Sequence, residues 1–385
     1  MSAAPQLYEI KDLTIPQKDL IKASIPILES SGVDLTKAFY NYMLETYAEV
    51  KPFFNETNQK NFRQPKVLAF ALLNYAKNID DLAPLTAFVQ QIVTKHVGLQ
   101  IKAEHYPIVG NSLISTMGKL LGPEIATPEF VTAWSTAYGN LAQILINAEW
   151  EQYQKQPWNG FKEFTVTKIE EEAKDIKSVY FTPSDGSKIS LPLHGQYLGF
   201  RFTIPGDDIE KSREYSISQY PNSNEYRISV KKLDEGKVST YINEQLKAGD
   251  KFKVAPPNGT FTYQDFTNDV LLFAGGIGIT PIIPILEKAL ASNRKVTLFY
   301  SNKSQEQRPF GEYFKELQGK YNNFTFNEFF SNENNRLSAK DFEFSHKDFD
   351  VYMLGPIGYM DFVREELKKH DITEIRSEFF GPTNV

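Results

Sequence analysis

The hydrophobic pattern of the chain changes period twice, at Pro157-Trp158-Asn159-Gly160 and again near residue 268. Side chains recur on one face about every 3.6 residues in a helix and about every 2 in a strand, so neither pattern settles as the other. The chain must therefore fold as three successive pieces of different architecture. At 385 residues it is long enough for separate cores.

Residues 1–152 read as packed helices. Thr14-Ile15-Pro16 is a helix start with proline in the first turn, and Leu35, Ala38, Phe39, Tyr42 and Met43 share one face between Asp34 and Thr46. A helix from Pro107 through Ile108, Leu113, Met117 and Leu120 stops at Gly122-Pro123. Another opens at Thr127-Pro128-Glu129 and carries Phe130, Trp134, Tyr138, Leu141 and Leu145. Residues 153–265 alternate instead, over Phe164–Ile169, Tyr197–Ile204, Tyr215–Ser218, Tyr226–Val230 and Lys251–Val254, with turns at 221–224 and 256–259. Short strands at that density predict a small antiparallel β-barrel. In residues 266–385, strands at Val270–Ala274, Val296–Tyr300, Phe324–Phe330, Val351–Leu354 and Glu374–Phe379 are separated by helical stretches. That alternation predicts an α/β domain, a parallel sheet with helices on both faces. The expected class is multidomain: all-α, then antiparallel barrel, then α/β.

Scarcity narrows the chemistry. There is no cysteine, which excludes a thiolate-ligated haem, an iron–sulfur cluster and a cysteine zinc site. A metal or haem would need one of five histidines, His96, His105, His194, His346 or His370. His96 lies in Lys95-His96-Val97-Gly98, inside the helical third, and is the candidate iron ligand. About 150 helical residues with one candidate ligand histidine match the size and class of a globin. A net charge of −6 argues against a general nucleic-acid binder. No apolar run is long enough to span a bilayer, and no secretion signal is visible at Met1–Gln6, so the expected location is cytoplasmic with a mitochondrial pool left open.

Gly275-Gly276-Ile277-Gly278-Ile279-Thr280-Pro281 follows an apolar strand and opens a helix, the setting in which glycines and helix-end amides receive a diphosphate. Leu354-Gly355-Pro356 is a second strand-to-helix junction of the same kind. No carboxylate ends the strand Val296–Tyr300; Ser301, Asn302, Lys303 and Arg308 follow it, so the choice between NADH and NADPH stays open. In the barrel, Arg213-Glu214-Tyr215-Ser216 puts Arg213 and Tyr215 on one strand face, a guanidinium beside an aromatic surface. Gly236-Lys237-Val238-Ser239 is a second phosphate-type turn and helix start.

Those four motifs in that order resemble the ferredoxin-reductase-like flavoproteins. With Lys95-His96, Tyr106, the helical first third and the closing Glu378-Phe379-Phe380-Gly381-Pro382, the whole chain resembles a flavohaemoglobin. The resemblance implies a globin domain at 1–152, an FAD-binding barrel at 153–265 and an NAD(P)-binding domain at 266–385. It makes His96 the proximal ligand of a b-type haem, with Tyr106 and Glu149 as its hydrogen-bonding partners. Tyr40 and Gln64 match the distal groups that meet bound gas, and Phe54 and Leu68 match haem-packing residues. Lys95 and Glu378 match residues lying between haem and flavin. Gln196, Tyr197, Arg213, Glu214, Tyr215, Ser216, Gly236, Val238, Ser239, Phe379, Phe380, Gly381 and Pro382 match FAD contacts, and Gly276, Ile277, Gly278, Ile279, Thr280 and Pro281 match the dinucleotide turn. Two positions depart: where the family often has cysteine, this chain has Leu354 and Phe379.

The implied activity is nitric oxide dioxygenation. NAD(P)H reduces FAD, FAD reduces haem iron, and the oxygenated ferrous haem converts nitric oxide to nitrate. Oxygen, nitric oxide and NAD(P)H are the implied small-molecule partners of a monomer. Two other readings remain: an oxygen-binding or sensing globin with its own ferric-haem reductase, and a flavin reductase that serves external acceptors.

Overall fold

The computed structural model describes residues 3–54 and 63–378, the side chains of 63–65 excepted. It holds two compact units, one built mainly on Met1–Gly160 and a second that starts at Phe161.

Six α-helices lie among the described residues of the first unit: α1 (Ile15–Ala23), α2 (Ile25–Thr46), α3 (Arg63–Lys77), α4 (Thr86–Leu99), α5 (His105–Leu121) and α6 (Pro128–Tyr153). Thr14 starts α1 with a reciprocal capping box, its backbone N–H donating to Gln17 at 2.9 Å. Thr127 caps α6 by accepting from the Phe130 amide. Apolar faces of five helices meet in one core, with Ile21 from α1, Phe39 and Met43 from α2, Leu72 from α3, Leu113 from α5 and Trp134 from α6. Each such side chain contributes roughly 1.5–3 kcal/mol when fully buried. A second cluster joins α4, α5 and α6 through Val93, Val97, Tyr106, Leu145 and Ile146. It places the end of α4, and with it His96, against the other two helices.

The second unit begins with six strands: β1 (Lys162–Ala173), β2 (Ile176–Pro183), β3 (Tyr197–Phe202), β4 (Lys211–Ser216), β5 (Tyr226–Lys231) and β6 (Lys251–Val254). They pair in the order β4-β3-β6-β1-β2-β5, and an antiparallel bridge between Ile217 and Ile228 joins the two edges into a barrel. Phe164, Phe181, Phe200, Phe202, Tyr226 and Phe252 fill it. The sequence reading lacks β2 and starts β4 too late. Register shifts in β1, one mid-strand at Val166/Lys168 and one beside the turn at Glu171/Ala173, interrupt the alternation of the β1–β2 hairpin. In β4 the side chains from Ser212 to Tyr215 are half-covered on both faces, which erases a period-2 signal. A short helix, α7 (Lys237–Glu244), follows β5.

Five parallel strands complete the unit: β7 (Asp269–Gly275), β8 (Val296–Asn302), β9 (Phe324–Phe330), β10 (Phe349–Leu354) and β11 (Ile375–Ser377), ordered β11-β10-β7-β8-β9. Helices α8 (Ile282–Ala291), α9 (Gly311–Lys320) and α10 (Ile357–Lys369) cover both faces. Val270, Leu272 and Ala274 point to α8 and α9, while Leu271, Phe273, Val351 and Met353 point to α10. The chain order reverses between β7 and β10, which makes their C-terminal ends the switch point where open sheets bind ligands. Arg294 ties the stretch between barrel and sheet in place. It donates to the carbonyls of Gln264 (3.1 Å) and Asn268 (2.8 Å) and forms a buried ion pair with Asp350. No helix of the described residues is long and apolar enough to cross a membrane.

Candidate functional site

The group around His96 is assembled by three helices. His96 lies one turn from the end of α4, which Gln100 closes in a left-handed conformation (φ 57°). Gln100 is buried, and its amide donates to the Val97 carbonyl and accepts from the Gly160 amide. Glu149 of α6 is 1% exposed, and its Oε1 lies 2.7 Å from His96 Nδ1 and 2.7 Å from the Tyr106 hydroxyl of α5. The Tyr106 hydroxyl is also 3.1 Å from Nδ1. A carboxylate oxygen only accepts, so Nδ1 carries the ring proton and the Nε2 lone pair is left available. Nε2 has no hydrogen-bond partner among the described residues, and burial beside Glu149 pushes the Tyr106 phenol far above its usual range, keeping it a donor. His105 is arranged differently: its Nδ1 accepts from the Lys102 amide, and its ring meets the edge of Phe53.

On α2, Tyr40 is packed between Phe39 (ring centroids 4.9 Å apart) and Phe54 (5.5 Å), and Leu68 of α3 borders the same cluster. Burial holds the Tyr40 phenol protonated, and its hydroxyl has no hydrogen-bond partner among the described residues. The side chain of Gln64 lies outside the described residues, as do Phe379, Phe380, Gly381 and Pro382. Lys95 is exposed on α4. Among the described residues no three His, Cys, Asp or Glu side chains gather as a metal-binding group. A single imidazole with its Nε2 lone pair available is the ligand that a haem iron takes from a protein.

In the second unit, Tyr197, Glu214 and Glu378 converge from β3, β4 and the segment after β11. Tyr197 shares a hydrogen bond with Glu214, accepts from Asn258 Nδ2 at 3.0 Å, and has its phenol raised by burial, by Glu214 and by Glu378. Its ring lies against Gly259, where φ is +111° and a Cβ would come within 2.9 Å. Gln196 braces the neighbouring turn, accepting from the Leu193 amide at 2.8 Å. Arg213 and Tyr215 lie along β4, and the Tyr215 ring packs on Phe200. At Gly236, which begins α7, the Ser239 hydroxyl accepts from the Leu233 amide and donates to the Gly236 carbonyl. Val238 is buried in the core. Any anion there meets backbone amides at an uncapped helix start, which suits a phosphate.

The two glycine junctions lie side by side at the ends of β7 and β10. A Cβ on Gly275 would stand 2.8 Å from Pro356 Cδ, one on Gly278 2.5 Å from the Leu354 carbonyl oxygen, and one on Gly355 3.0 Å from Gly275 Cα. These glycines let the two turns touch, while Gly276 (φ +55°) borders open space and leaves backbone exposed to a ligand. Ile279 is core, Thr280 donates its hydroxyl to the Ile277 carbonyl, and Pro281 leads into α8. Beyond β8, Arg308 is buried against Glu328 and Glu312, while Lys303 is exposed. Leu354 is 1% exposed, a packing residue of β10.

Sequence reasoning reads Tyr138 of α6 only as an apolar-face residue and passes over Gln143 and Tyr153. Tyr153 donates to the Ile101 carbonyl at 2.5 Å and so pins the turn after α4. Helical spacing marks such residues only as core, because their polar ends reveal a partner only once α4 and α5 are in place.

The fold and these groups define a class: a globin joined to a flavin- and nicotinamide-dependent reductase. Models of the globin family, of the oxidoreductase FAD-binding domain and of the oxidoreductase NAD-binding domain match residues 37–145, 163–263 and 272–365. A flavohemoprotein of Candida albicans is 52% identical, over 97% of this chain and 98% of the relative. The chain belongs to the flavohemoprotein family, and haem, FAD and a nicotinamide nucleotide are its cofactors. The flavohemoglobin of Malassezia yamatoensis, solved with bound FAD and heme, has the same fold (TM-score 0.86, 24% identity, 96% of this chain and 100% of that one). The FAD/NAD-binding domain of a nitric oxide dioxygenase from Vibrio cholerae aligns at TM-score 0.54 and 30% identity, over 57% of this chain and 99% of that one.

Proposed function

We propose that the chain is an NAD(P)H-dependent nitric oxide dioxygenase that turns nitric oxide and oxygen into nitrate, working as a monomer. The observation that carries this reading is the Glu149–Tyr106–His96 group, a charge-assisted pair that makes the imidazole electron-rich, within a chain that also carries a reductase. The Vibrio cholerae likeness, to a protein named for this activity, supports it.

When bound, haem supplies the iron centre for the two gases, and FAD links a hydride donor to one-electron delivery. His96 holds that iron through Nε2, with Glu149 taking the Nδ1 proton as a hydrogen bond and fixing the ring. Tyr40 offers its hydroxyl to a gas ligand, Gln64 is the second distal group that the family resemblance implies, and Phe39, Phe54 and Leu68 exclude water. Arg213 neutralises the FAD diphosphate, Tyr197 and Glu214 orient the flavin, and the 276–281 turn offers amides to the nicotinamide nucleotide. Lys95 and Glu378 serve electron delivery to the iron. We divide the chain at 152/153 and 265/266.

The test is anaerobic and aerobic NADH oxidation with added nitric oxide, with nitrate quantified. Oxygen-dependent nitrate formation, stoichiometric with nitric oxide consumed, is expected. Nitric oxide that leaves NADH oxidation unchanged and yields no nitrate overturns the reading.

A further inference from the structure

The segment Pro5–Lys11 runs along α6, held by side chains that the sequence marks only as helix positions. Gln143 is fully buried and uses its whole amide. Its Oε1 accepts from the Leu7 and Tyr8 amides at 3.0 Å each, and its Nε2 donates to the Pro5 carbonyl and to Asn147 Oδ1 at 2.9 Å each. One turn earlier, Asn140 accepts from the Lys11 amide at 2.8 Å and donates to its carbonyl at 2.7 Å. Both side chains thus pair with backbone as a strand would. The segment is held in one register.

What that register positions is Tyr8. Its ring lies over Gly139, where a Cβ would stand 3.0 Å from Tyr8 Cδ1, and it meets the Tyr138 ring edge-on with centroids 6.0 Å apart. Tyr138 in turn fills the space at Gly110, where a Cβ would come within 2.5 Å of its ring. Its hydroxyl donates to the Tyr106 carbonyl at 2.6 Å and accepts from the Gly110 amide. Tyr106 then reaches Glu149 and His96 through its own hydroxyl. Tyr8, Tyr138 and Tyr106 belong to one apolar cluster with Val93 and Val97 of α4.

We propose that Tyr8, held by Gln143 and Asn140, is a positioning residue for the proximal ligand. By fixing Tyr138 it sets where Tyr106 stands, and so how strongly Glu149 and Tyr106 engage His96 Nδ1. The inference rests on His96 being the haem ligand. A 2.7 Å hydrogen bond loses strength steeply with misplacement, so a small slip of α5 reaches the imidazole.

The experiment uses full-length holoprotein. Resonance Raman of the ferrous, ligand-free form reads the iron–histidine stretch, and transfer of haem to an apoglobin acceptor reads retention. Tyr8→Ala is expected to lower the stretching frequency and to speed haem loss about three- to tenfold, the worth of one aromatic pair. Tyr8→Phe keeps the ring and is expected to match the parent in both. A folded, haem-replete Tyr8→Ala protein with an unchanged frequency overturns the proposal, as does a Tyr8→Phe shift of equal size. If Tyr8→Ala does not fold, Tyr8→Leu takes its place: a lowered frequency with faster haem loss supports the proposal, and an unchanged frequency overturns it. His96→Ala serves as a control: retention of a normal haem spectrum there refutes the ligand assignment itself, separately from the role of Tyr8.

Discussion

Replacing Glu149 by Gln removes one charge from the proximal side while keeping shape. The carboxylate is buried, with a side-chain exposure of 2%, so solvent does not screen its interaction with His96. A hydrogen bond to a charged group contributes about 1.5–3 kcal/mol and a neutral one about 0.5–1.5 kcal/mol, so the His96 bond weakens by about 1–1.5 kcal/mol. The negative charge favours the more positive, ferric state. Its loss should raise the ferric/ferrous midpoint by about 45–65 mV, at roughly 59 mV per tenfold for one electron. A second cost falls on the fold. The amide nitrogen would occupy the place of Oε2, which is buried and has no partner among the described residues. An unsatisfied buried donor costs about 1–3 kcal/mol, so the unfolding midpoint should fall as well. Spectroelectrochemical titration of the haem, with denaturant unfolding alongside, reads both effects. A midpoint that moves downward, or by less than about 15 mV, in folded holoprotein would refute the idea that Glu149 donates electron density through His96.

Tyr40→Phe removes a donor from a closed aromatic enclosure, so oxygen should leave about ten- to a hundredfold faster in stopped flow, equivalent to about 1–3 kcal/mol; an unchanged rate would assign the contact elsewhere. His194 stacks on Tyr220 at 3.9 Å, and burial and Lys288 hold its imidazole down to about 4. Its folded value lies below its ordinary one, so stability is complete above about pH 6.5 and is lost as pH falls toward 4, by about 1–2 kcal/mol after allowing for its partial exposure. His194→Phe should flatten that part of the stability–pH curve, and an undiminished slope would point to another group. Asp350→Ala strands Arg294, whose side chain is 5% exposed, and should cost about 3–5 kcal/mol by denaturant unfolding. Replacing both partners by apolar residues should cost markedly less than the two single losses added, and additivity would show that the pair does not interact.

Fold and site are not equally legible in the sequence. The helices at Thr14 and Thr127 are legible because caps and prolines act locally, within one turn of the residues that signal them. The parallel sheet is legible because its strands are buried on both faces and read as apolar runs. Strand β2 is not, because the register shifts in β1 interrupt the alternation of the hairpin. At the site, His96 and His105 both stand at helix ends nine residues apart, and composition alone separates them poorly. What distinguishes them is Glu149, 53 positions away, and that proximity comes from the packing of α4 against α6. The glycines after β7 and β10 read in the sequence as ligand-facing. Their positions show that Gly275, Gly278 and Gly355 serve contact between two turns, a relation of backbone to backbone that no single motif contains.

Glu149 also breaks the rule by which the rest of this core is built. The Tyr106 that it bonds belongs to an apolar cluster with Val93, Val97, Leu145 and Ile146, and an apolar side chain of similar volume would avoid taking a carboxylate out of water. Two donors meet one of its oxygens and none of the described residues meets the other, so the protein leaves its desolvation only partly compensated. Such a charge is costly to the fold taken alone. It becomes favourable when positive charge develops on whatever is bound at Nε2, because the imidazole then passes that charge to its Nδ1 proton and strengthens the bond to Glu149. With iron held at Nε2, as proposed, the energy of the group would be recovered in the oxidised state, the one that the reductase domains would reverse. On the proposed function, the buried carboxylate and the attached flavin domain would answer one another: the first would stabilise ferric iron held at His96, and the second would make that state temporary.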